Sequence, residues 1–297
     1  MSTPPRILIA GCGDLGNALG QKMIAEGKAM RGLRRNPTNS GVPCAQADVT
    51  RPDNLQGLHS LQPDILVYCV AAGAQNDDQY RAIYVDGLRN VLEALAPANS
   101  LKHVFFVSST RVYGQLTEDI LNEATPAEPA DFGGKRLLEG EQLLKNLPCP
   151  GTVLRLSGIY GEGRNRMIEI ARNPKNWQPQ NPWTNRIHRD DAAGFIAFLI
   201  NRVLKSEEVE DVYIVTDNHP APMWTVLTWM ARQMGIDTSR LKPPPAQGGK
   251  RLSNFRMRTL GFDLKYETYR AGYAKLQDGP TLAPLASAFK NLNQPGS

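Results

Sequence analysis

Arg6-Ile-Leu-Ile-Ala-Gly-Cys-Gly-Asp-Leu-Gly16 decides the fold: an apolar run, Ile7 to Ile9, flows directly into Gly11-x-Gly13-x-x-Gly16. Glycine spacing alone is a weak signal. Its position between a strand-like and a helix-like segment makes it informative. Gly11 lets the backbone turn sharply, Gly13 leaves room for a pyrophosphate, and Gly16 lets the following helix pack against the strand. The N-terminus of that helix then offers unpaired N–H groups and a partial positive charge. Gly11, Cys12, Gly13, Asp14, Leu15 and Gly16 are therefore the expected seat of a dinucleotide's phosphates.

Working outward, short β-rich runs alternate with amphipathic helical patterns through the first half of the chain. Strands are expected at Ile7–Ala10, Lys28–Leu33, Ile65–Val70, Val104–Val107 and Thr152–Leu156. Leu15, Leu19 and Met23 repeat at helical spacing, as do Tyr84, Leu88, Val91, Leu92 and Leu95, then Leu137, Leu138, Glu141 and Leu144. Such alternation predicts an α/β fold, a Rossmann-type doubly wound parallel sheet with helices on both faces. After Gly158 the alternation loosens. Asn173–Trp183 reads as an ordered irregular loop. A helix is expected at Asp191–Val203, a strand at Val212–Thr216, and a helix at Thr225–Met234. The organisation predicted is a dinucleotide-binding domain over 1–157, completed by the helix and strand within 190–217. A smaller, discontinuous C-terminal substrate region would use 158–189 and 218–276. A tail of little order is expected over 277–297.

Composition narrows the partners. The 297 residues carry 34 Lys and Arg against 29 Asp and Glu, a net charge of +5, with no long basic block. That argues against nucleic acid as a partner. Cys12, Cys44, Cys69 and Cys149 lack metal or redox spacing, and the four histidines are scattered, so no metal site is expected. The N-terminal apolar run stops at the glycines, unlike a signal peptide. Ile65–Ala72 is too short to span a bilayer. A cytoplasmic protein without membrane attachment is the expectation, and a homodimer is compatible with it.

In folds that bind NAD, an acidic residue about 20 positions beyond the glycines accepts the ribose 2′-OH. Here the second strand ends in Arg34 and Arg35. Guanidinium groups suit the 2′-phosphate of NADP, although both could also face solvent. NADP is the expected cofactor, with NAD a second option.

Further landmarks follow in order: Asp48 in Ala-Asp-Val-Thr, Ala71-Ala-Gly73, Ser108-Ser-Thr-Arg-Val-Tyr-Gly114, Lys135, Leu154-Arg-Leu-Ser-Gly-Ile-Tyr-Gly161 and Asn185-Arg-Ile-His-Arg-Asp-Asp191. With the glycine motif they resemble the extended short-chain dehydrogenase/reductase family, which includes NAD(P)-dependent epimerases and dehydratases. The ending, Lys250-Arg-Leu-Ser-Asn254 with Leu260-Gly-Phe262, is similar to its atypical, YeeZ-like branch. The resemblance implies that Asp48 contacts the adenine edge and that Ala71, Ala72 and Gly73 line the cofactor. It sets Ser109 at the catalytic hydroxyl and Lys135 at the lysine that binds the nicotinamide ribose. It implies chemistry at a hydroxyl- or carbonyl-bearing carbon.

The family's catalytic tyrosine precedes that lysine by four residues, and Asp131 stands there instead. A phenol near pKa 10 is drawn toward neutrality by an adjacent ammonium, whereas a carboxyl starts at about 3.9 and is pushed lower. Asp131 can then serve as a base but poorly as an acid. Tyr113 and Tyr160 are stand-in proton donors. For an anionic or sugar-nucleotide-like small-molecule substrate, Arg155, Tyr160, Arg166, Arg186 and His188 form the candidate set, in a donor-rich stretch that also holds Arg164 and Arg189; these arginines could instead pair in solvent with Glu162, Asp190 and Asp191. Trp177 and Trp183 could cover a ligand or anchor their own loop. A competing expectation is a cofactor-binding sensor that has lost its chemistry.

Overall fold

Ile7–Ala10 forms the middle of a sheet because it is apolar on both faces: Ile7 and Ile9 enter one buried cluster, Leu8 and Ala10 the other. The computed structural model describes residues 5–37 and 41–277. The first elements are β1 (Arg6–Ala10), α1 (Asp14–Ala25), β2 (Ala29–Arg34), β3 (Cys44–Gln46) and β4 (Ile65–Tyr68). Next come α2 (Asp77–Arg81), a π-helical turn (Ala82–Asp86), α3 (Gly87–Leu95), β5 (His103–Ser109), β6 (Ile120–Leu121) and α4 (Phe132–Leu143). The chain continues through β7 (Gly151–Leu156), β8 (Gly158–Tyr160), α5 (Arg166–Arg172), β9 (Trp183–Thr184), β10 (Arg186–His188) and α6 (Arg189–Leu204). It closes with β11 (Val212–Val215), β12 (Ala221–Pro222), α7 (Met223–Gln233), β13 (Arg251–Leu252), α8 (Phe255–Thr259) and α9 (Tyr269–Gln277).

Seven strands pair in the order β11-β7-β5-β4-β1-β2-β3, every neighbour parallel. This is the doubly wound α/β sheet that the alternation predicts. Strand order reverses between β1 and β4, which opens a crevice at their carboxyl ends. α1 and α6 cover one face through Leu15, Leu19, Met23, Phe195 and Leu199. α3 and α4 cover the other through Leu88, Val91, Leu95, Leu137 and Leu144. A third apolar cluster, including Ile168, Trp177, Leu227, Met230, Tyr269 and Tyr273, joins α5, α7 and α9.

The run from α2 to α3 is one helix interrupted by a π turn, and the cause is a single hydroxyl. Buried Tyr68 donates from Oη to the Ile83 carbonyl at 2.6 Å. Gly87 N–H then reaches back five residues to Ala82 O, the hydrogen-bond step of a π-bulge. The bulge carries Tyr84, which matters below.

Several segments differ from the sequence reading. β8, β10 and α5 arise where no regular element is expected, since strands of three residues are too short to show alternation. The Asn173–Trp183 loop is pinned by Trp177, which is buried, donates from Nε1 to Ile170 O at 2.8 Å and packs edge-on against Trp224. That tryptophan anchors its own loop. The tail from residue 278 onward lies outside the described residues. Among the described residues, no helix is long and apolar enough to cross a membrane.

Candidate functional site

At the carboxyl ends of β1, β2, β4, β5 and β7 lies an open cleft of about 550 Å³. Its floor is the glycine turn. Gly11 sits at φ +95°, a left-handed conformation, and a Cβ there would meet Val70 N at 2.5 Å. A Cβ at Gly16 would run into the Gly11 carbonyl, whereas one at Gly13 would meet nothing within 4 Å. Packing therefore demands the outer two glycines, and the middle one keeps space open above the turn. Gly13 caps α1 with no side-chain hydrogen bond, so the first-turn amides keep their donors for a ligand. An open seat above free amides fits the diphosphate of a dinucleotide. Within the glycine motif, Cys12 and Gly16 do not line the cleft; Cys12 is fully buried, and burial pushes its thiol pKa upward. Among the described residues, Cys12, Cys44, Cys69 and Cys149 form no disulfide.

The end of the cleft at β2 is polar. Arg34, Arg35 and Asp48 all line the cleft. Asp48 Oδ1 accepts from Thr50 N–H at 3.0 Å and Thr50 Oγ1 at 2.7 Å. Burial raises its pKa, but those bonds and the nearby Arg35 outweigh burial and hold it below the usual carboxylate value. Among the described residues Arg34 and Arg35 form no salt bridge. Ala71 lines the cleft, whereas half-buried Ala72 and exposed Gly73 do not.

At the end nearer α4, Tyr84, Ser108, Ser109, Leu137 and Ser157 face the same cleft. Ser109 Oγ accepts the Arg111 N–H at 3.2 Å. Ala72 N–H donates to Tyr84 Oη at 3.5 Å, and burial raises the Tyr84 pKa. The cleft-facing side of α4 corrects the expectation for Asp131 and Lys135. Leu137 lines the cleft; Lys135 is exposed and does not. Asp131 is the N-cap of α4, accepting the Gly134 N–H at 2.9 Å and pairing with Arg111 Nε at 2.9 Å. Burial acts to raise the Asp131 pKa, but these bonds prevail and lower it. A Cβ at Gly133 would collide with the Arg111 guanidinium, which also donates to Gln75 Oε1 at 3.0 Å and Tyr80 Oη at 2.9 Å. Arginine thus fills the space beside the first turn of α4.

Four of the expected substrate residues are interior, and so is the other stand-in tyrosine. Arg155 clasps Glu141, with Nη2 to Oε2 at 2.6 Å, and donates from Nη1 to Tyr113 Oη at 2.6 Å. Tyr113 in turn donates to Asn122 O at 3.1 Å and has no exposed surface. Its phenol is committed to the protein, as is Arg155. Tyr160 is buried and stacked on Tyr273 with ring centroids 4.4 Å apart. Arg186 is buried over the Tyr269 ring and donates to Thr184 Oγ1. His188 caps α6 by accepting the Asp190 N–H on Nδ1 at 3.1 Å; burial lowers its pKa to about 4, so it is neutral. Only Arg166, exposed at the start of α5, faces solvent. The sequence offered no signal for the burial of these groups.

Cleft residues outside the expected site include Tyr84, Leu137 and Ser157, whereas Arg164, one of the expected anion donors, does line the cleft. For Leu137 the signal existed, because Leu137, Glu141 and Leu144 follow helical i, i+4, i+7 spacing and Lys135 falls off that face. Among the described residues no group of three or more His, Cys, Asp or Glu could hold a metal.

The sequence model of the NAD dependent epimerase/dehydratase family matches residues 7–215. Protein YeeZ of Escherichia coli (strain K12) is 27% identical over 278 residues, spanning 88% of this chain and 96% of its own length. A Methylobacillus flagellatus structure provisionally named an NAD-dependent epimerase/dehydratase is 50% identical, with a TM-score of 0.85 over 92% of this chain and 98% of its own. The Bordetella bronchiseptica enzyme WbmG, in complex with NAD and UDP, superposes with a TM-score of 0.75 at 18% identity, covering 99% of this chain and 100% of its own. That last likeness is one of fold.

Proposed function

Because the chain belongs to the NAD dependent epimerase/dehydratase family, we propose that it is an oxidoreductase preferring NADP(H), acting on a hydroxyl- or carbonyl-bearing carbon of a small anionic substrate. The observation that carries the cofactor preference is the pair Arg34 and Arg35 on the cleft wall beside Asp48, without a salt bridge among the described residues. No carboxylate stands at the end of β2 to accept a 2′-OH, and two guanidinium groups favour a phosphate there.

In this reading the turn from Gly11 to Gly16 and the first amides of α1 hold the diphosphate. Arg34 and Arg35 hold the 2′-phosphate, Asp48 the adenine edge, and Ala71 forms a small side wall. When bound, the nicotinamide supplies or accepts a hydride. Ser109 Oγ orients the substrate oxygen. Tyr84, whose burial keeps the phenol protonated, gives a proton to it. Leu137 keeps water from the wall opposite. WbmG was crystallised with UDP, which makes nucleoside-diphosphate sugars the first substrate class to test.

Isothermal titration with NADPH and NADH tests the cofactor reading. NADPH is expected to bind about tenfold tighter or more, as charge-assisted hydrogen bonds of about 1.5–3 kcal/mol require. Arg34→Ala with Arg35→Ala is expected to erase that preference. Tighter NADH binding refutes it. A second reading, a cofactor-binding sensor without turnover, is favoured by one observation: α4 turns Leu137 toward the cleft where acid/base chemistry would need a polar group. NADPH oxidation over a substrate panel separates the two. Turnover lost in Tyr84→Phe with NADPH affinity intact supports the enzyme; binding without any turnover supports the sensor.

A further inference from the structure

The glycine turn carries a carboxylate at the place where two anionic phosphates would arrive. Asp14 begins α1 and lines the cleft beside Gly13. Left bare, it would repel a diphosphate. Two arginines from the C-terminal half of the chain reach it instead. Arg164 Nε donates to Asp14 Oδ2 at 2.7 Å, and Arg189 Nη1 to Asp14 Oδ1 at 3.0 Å. The two are not equivalent. Arg189 is also shared with Asp190 at 3.2 Å and Glu162 at 4.0 Å, and it does not line the dinucleotide cleft. Arg164 does line it, and its Nη groups hydrogen-bond no described residue.

The backbone that carries Arg164 is built to be repositioned at little cost. Gly161 and Gly163 sit at φ +147° and +79°, and a Cβ at Gly163 would meet nothing within 4 Å. Within the segment the backbone is closed by a turn bond from Arg164 N–H to Gly161 O at 3.1 Å.

We infer that Arg164 is a diphosphate clamp: its guanidinium, held in place by Asp14 across the glycine turn, donates its free Nη groups to the phosphates and ties segment 161–164 over the bound dinucleotide. The inference rests on the dinucleotide reading of the cleft and adds a residue to it that no glycine motif contains. Asp14 acts as a positioning residue, and Arg189 neutralises the carboxylate charge that remains. Guanidinium geometry suits the task, since its fork matches two phosphate oxygens where an ammonium offers a point charge.

The test is isothermal titration of wild type, Arg164→Ala and Arg164→Lys with two ligands, ADP-ribose and adenosine 2′-phosphate; the second lacks the diphosphate. Arg164→Ala is expected to weaken ADP-ribose about tenfold or more, with Arg164→Lys recovering part of the loss and adenosine 2′-phosphate unaffected. Equal ADP-ribose affinity in wild type and Arg164→Ala overturns the clamp and leaves the dinucleotide reading standing. An equal loss for both ligands also overturns it, by showing a distorted adenosine subsite. A wild-type chain that takes up neither ligand refutes the dinucleotide reading and the clamp together.

Discussion

Replacing Glu141 by leucine strands a buried arginine, and the size of the penalty follows from its contacts. The two side chains of the Arg155–Glu141 pair are 8% and 4% exposed. Arg155 donates to Glu141 through Nη2 at 2.6 Å and Nε at 3.1 Å, and Ser108 Oγ donates to the same carboxylate at 2.6 Å. Without Glu141, the guanidinium keeps only the Tyr113 hydroxyl at 2.6 Å. Leaving one member of a buried ion pair uncompensated costs about 3–5 kcal/mol, and the unpaired Ser108 hydroxyl adds about 1 kcal/mol or more. Against a total stability of about 5–15 kcal/mol, the variant should lose a large fraction of its fold. Urea denaturation followed by circular dichroism reads this as a lower midpoint at unchanged slope. The double variant Glu141→Leu with Arg155→Leu removes both charges, and Tyr113 keeps its bond to Asn122 O. It is expected to recover most of the loss, because apolar replacements of a whole buried pair are often neutral. A Glu141→Leu loss below about 1 kcal/mol, or a double variant no better than the single, refutes the reasoning. Either result would return Arg155 to the pool of ligand-binding candidates.

Gly16→Ala should destabilise the fold, since its Cβ meets the Gly11 carbonyl, whereas Gly13→Ala should melt like wild type and bind NADPH at least about tenfold more weakly. Normal NADPH affinity in Gly13→Ala would contradict the diphosphate seat. Lys135→Met is expected to leave NADPH affinity unchanged, because Leu137 and not Lys135 meets the cleft; a marked loss by titration would restore the lysine to the site. Burial pushes the Asp217 carboxyl up to about 7, against the bond it accepts from His219 N–H. The folded chain therefore holds a proton that the unfolded chain releases near 3.9, so the stability from this group is full below about pH 4 and is lost as pH rises through 7. The shift caps the effect at about 4 kcal/mol. His188 and His103, held neutral by burial with pKa values lowered to about 4, act in the opposite sense. The difference between wild type and Asp217→Asn isolates the carboxylate. A difference independent of pH between about 4 and 8 would exclude a raised Asp217 pKa.

Helix α4 shows how legibility depends on which pattern is followed. Leu137, Glu141 and Leu144 recur at helical spacing, and Leu137, Glu141 and Leu144 are all buried. The same period puts Lys135 on the outer side. The motif spacing of Asp131 and Lys135 and the apolar period of the helix thus point to different faces of α4. A charged residue on an apolar helical face, as Glu141 is, also foretells a buried partner. Nothing local identifies that partner as Arg155, 14 positions away on β7. Arg186, His188 and Tyr160 look like ligand donors for the same reason: a polar side chain reads alike whether water or protein surrounds it.

Local information suffices for what repeats along the chain. Strand–helix alternation, glycines that permit a turn, and paired arginines at a strand end are each a matter of a few consecutive residues, and they specify the sheet, its crevice and the glycine turn on the crevice floor. Contacts between distant segments are another matter. Tyr68 opens the π turn that carries Tyr84, Arg164 crosses 150 positions to reach Asp14, and Arg155 is consumed by Glu141. Burial and pairing depend on how the layers close over one another, because desolvation is set by everything packed around a group and not by its neighbours in sequence.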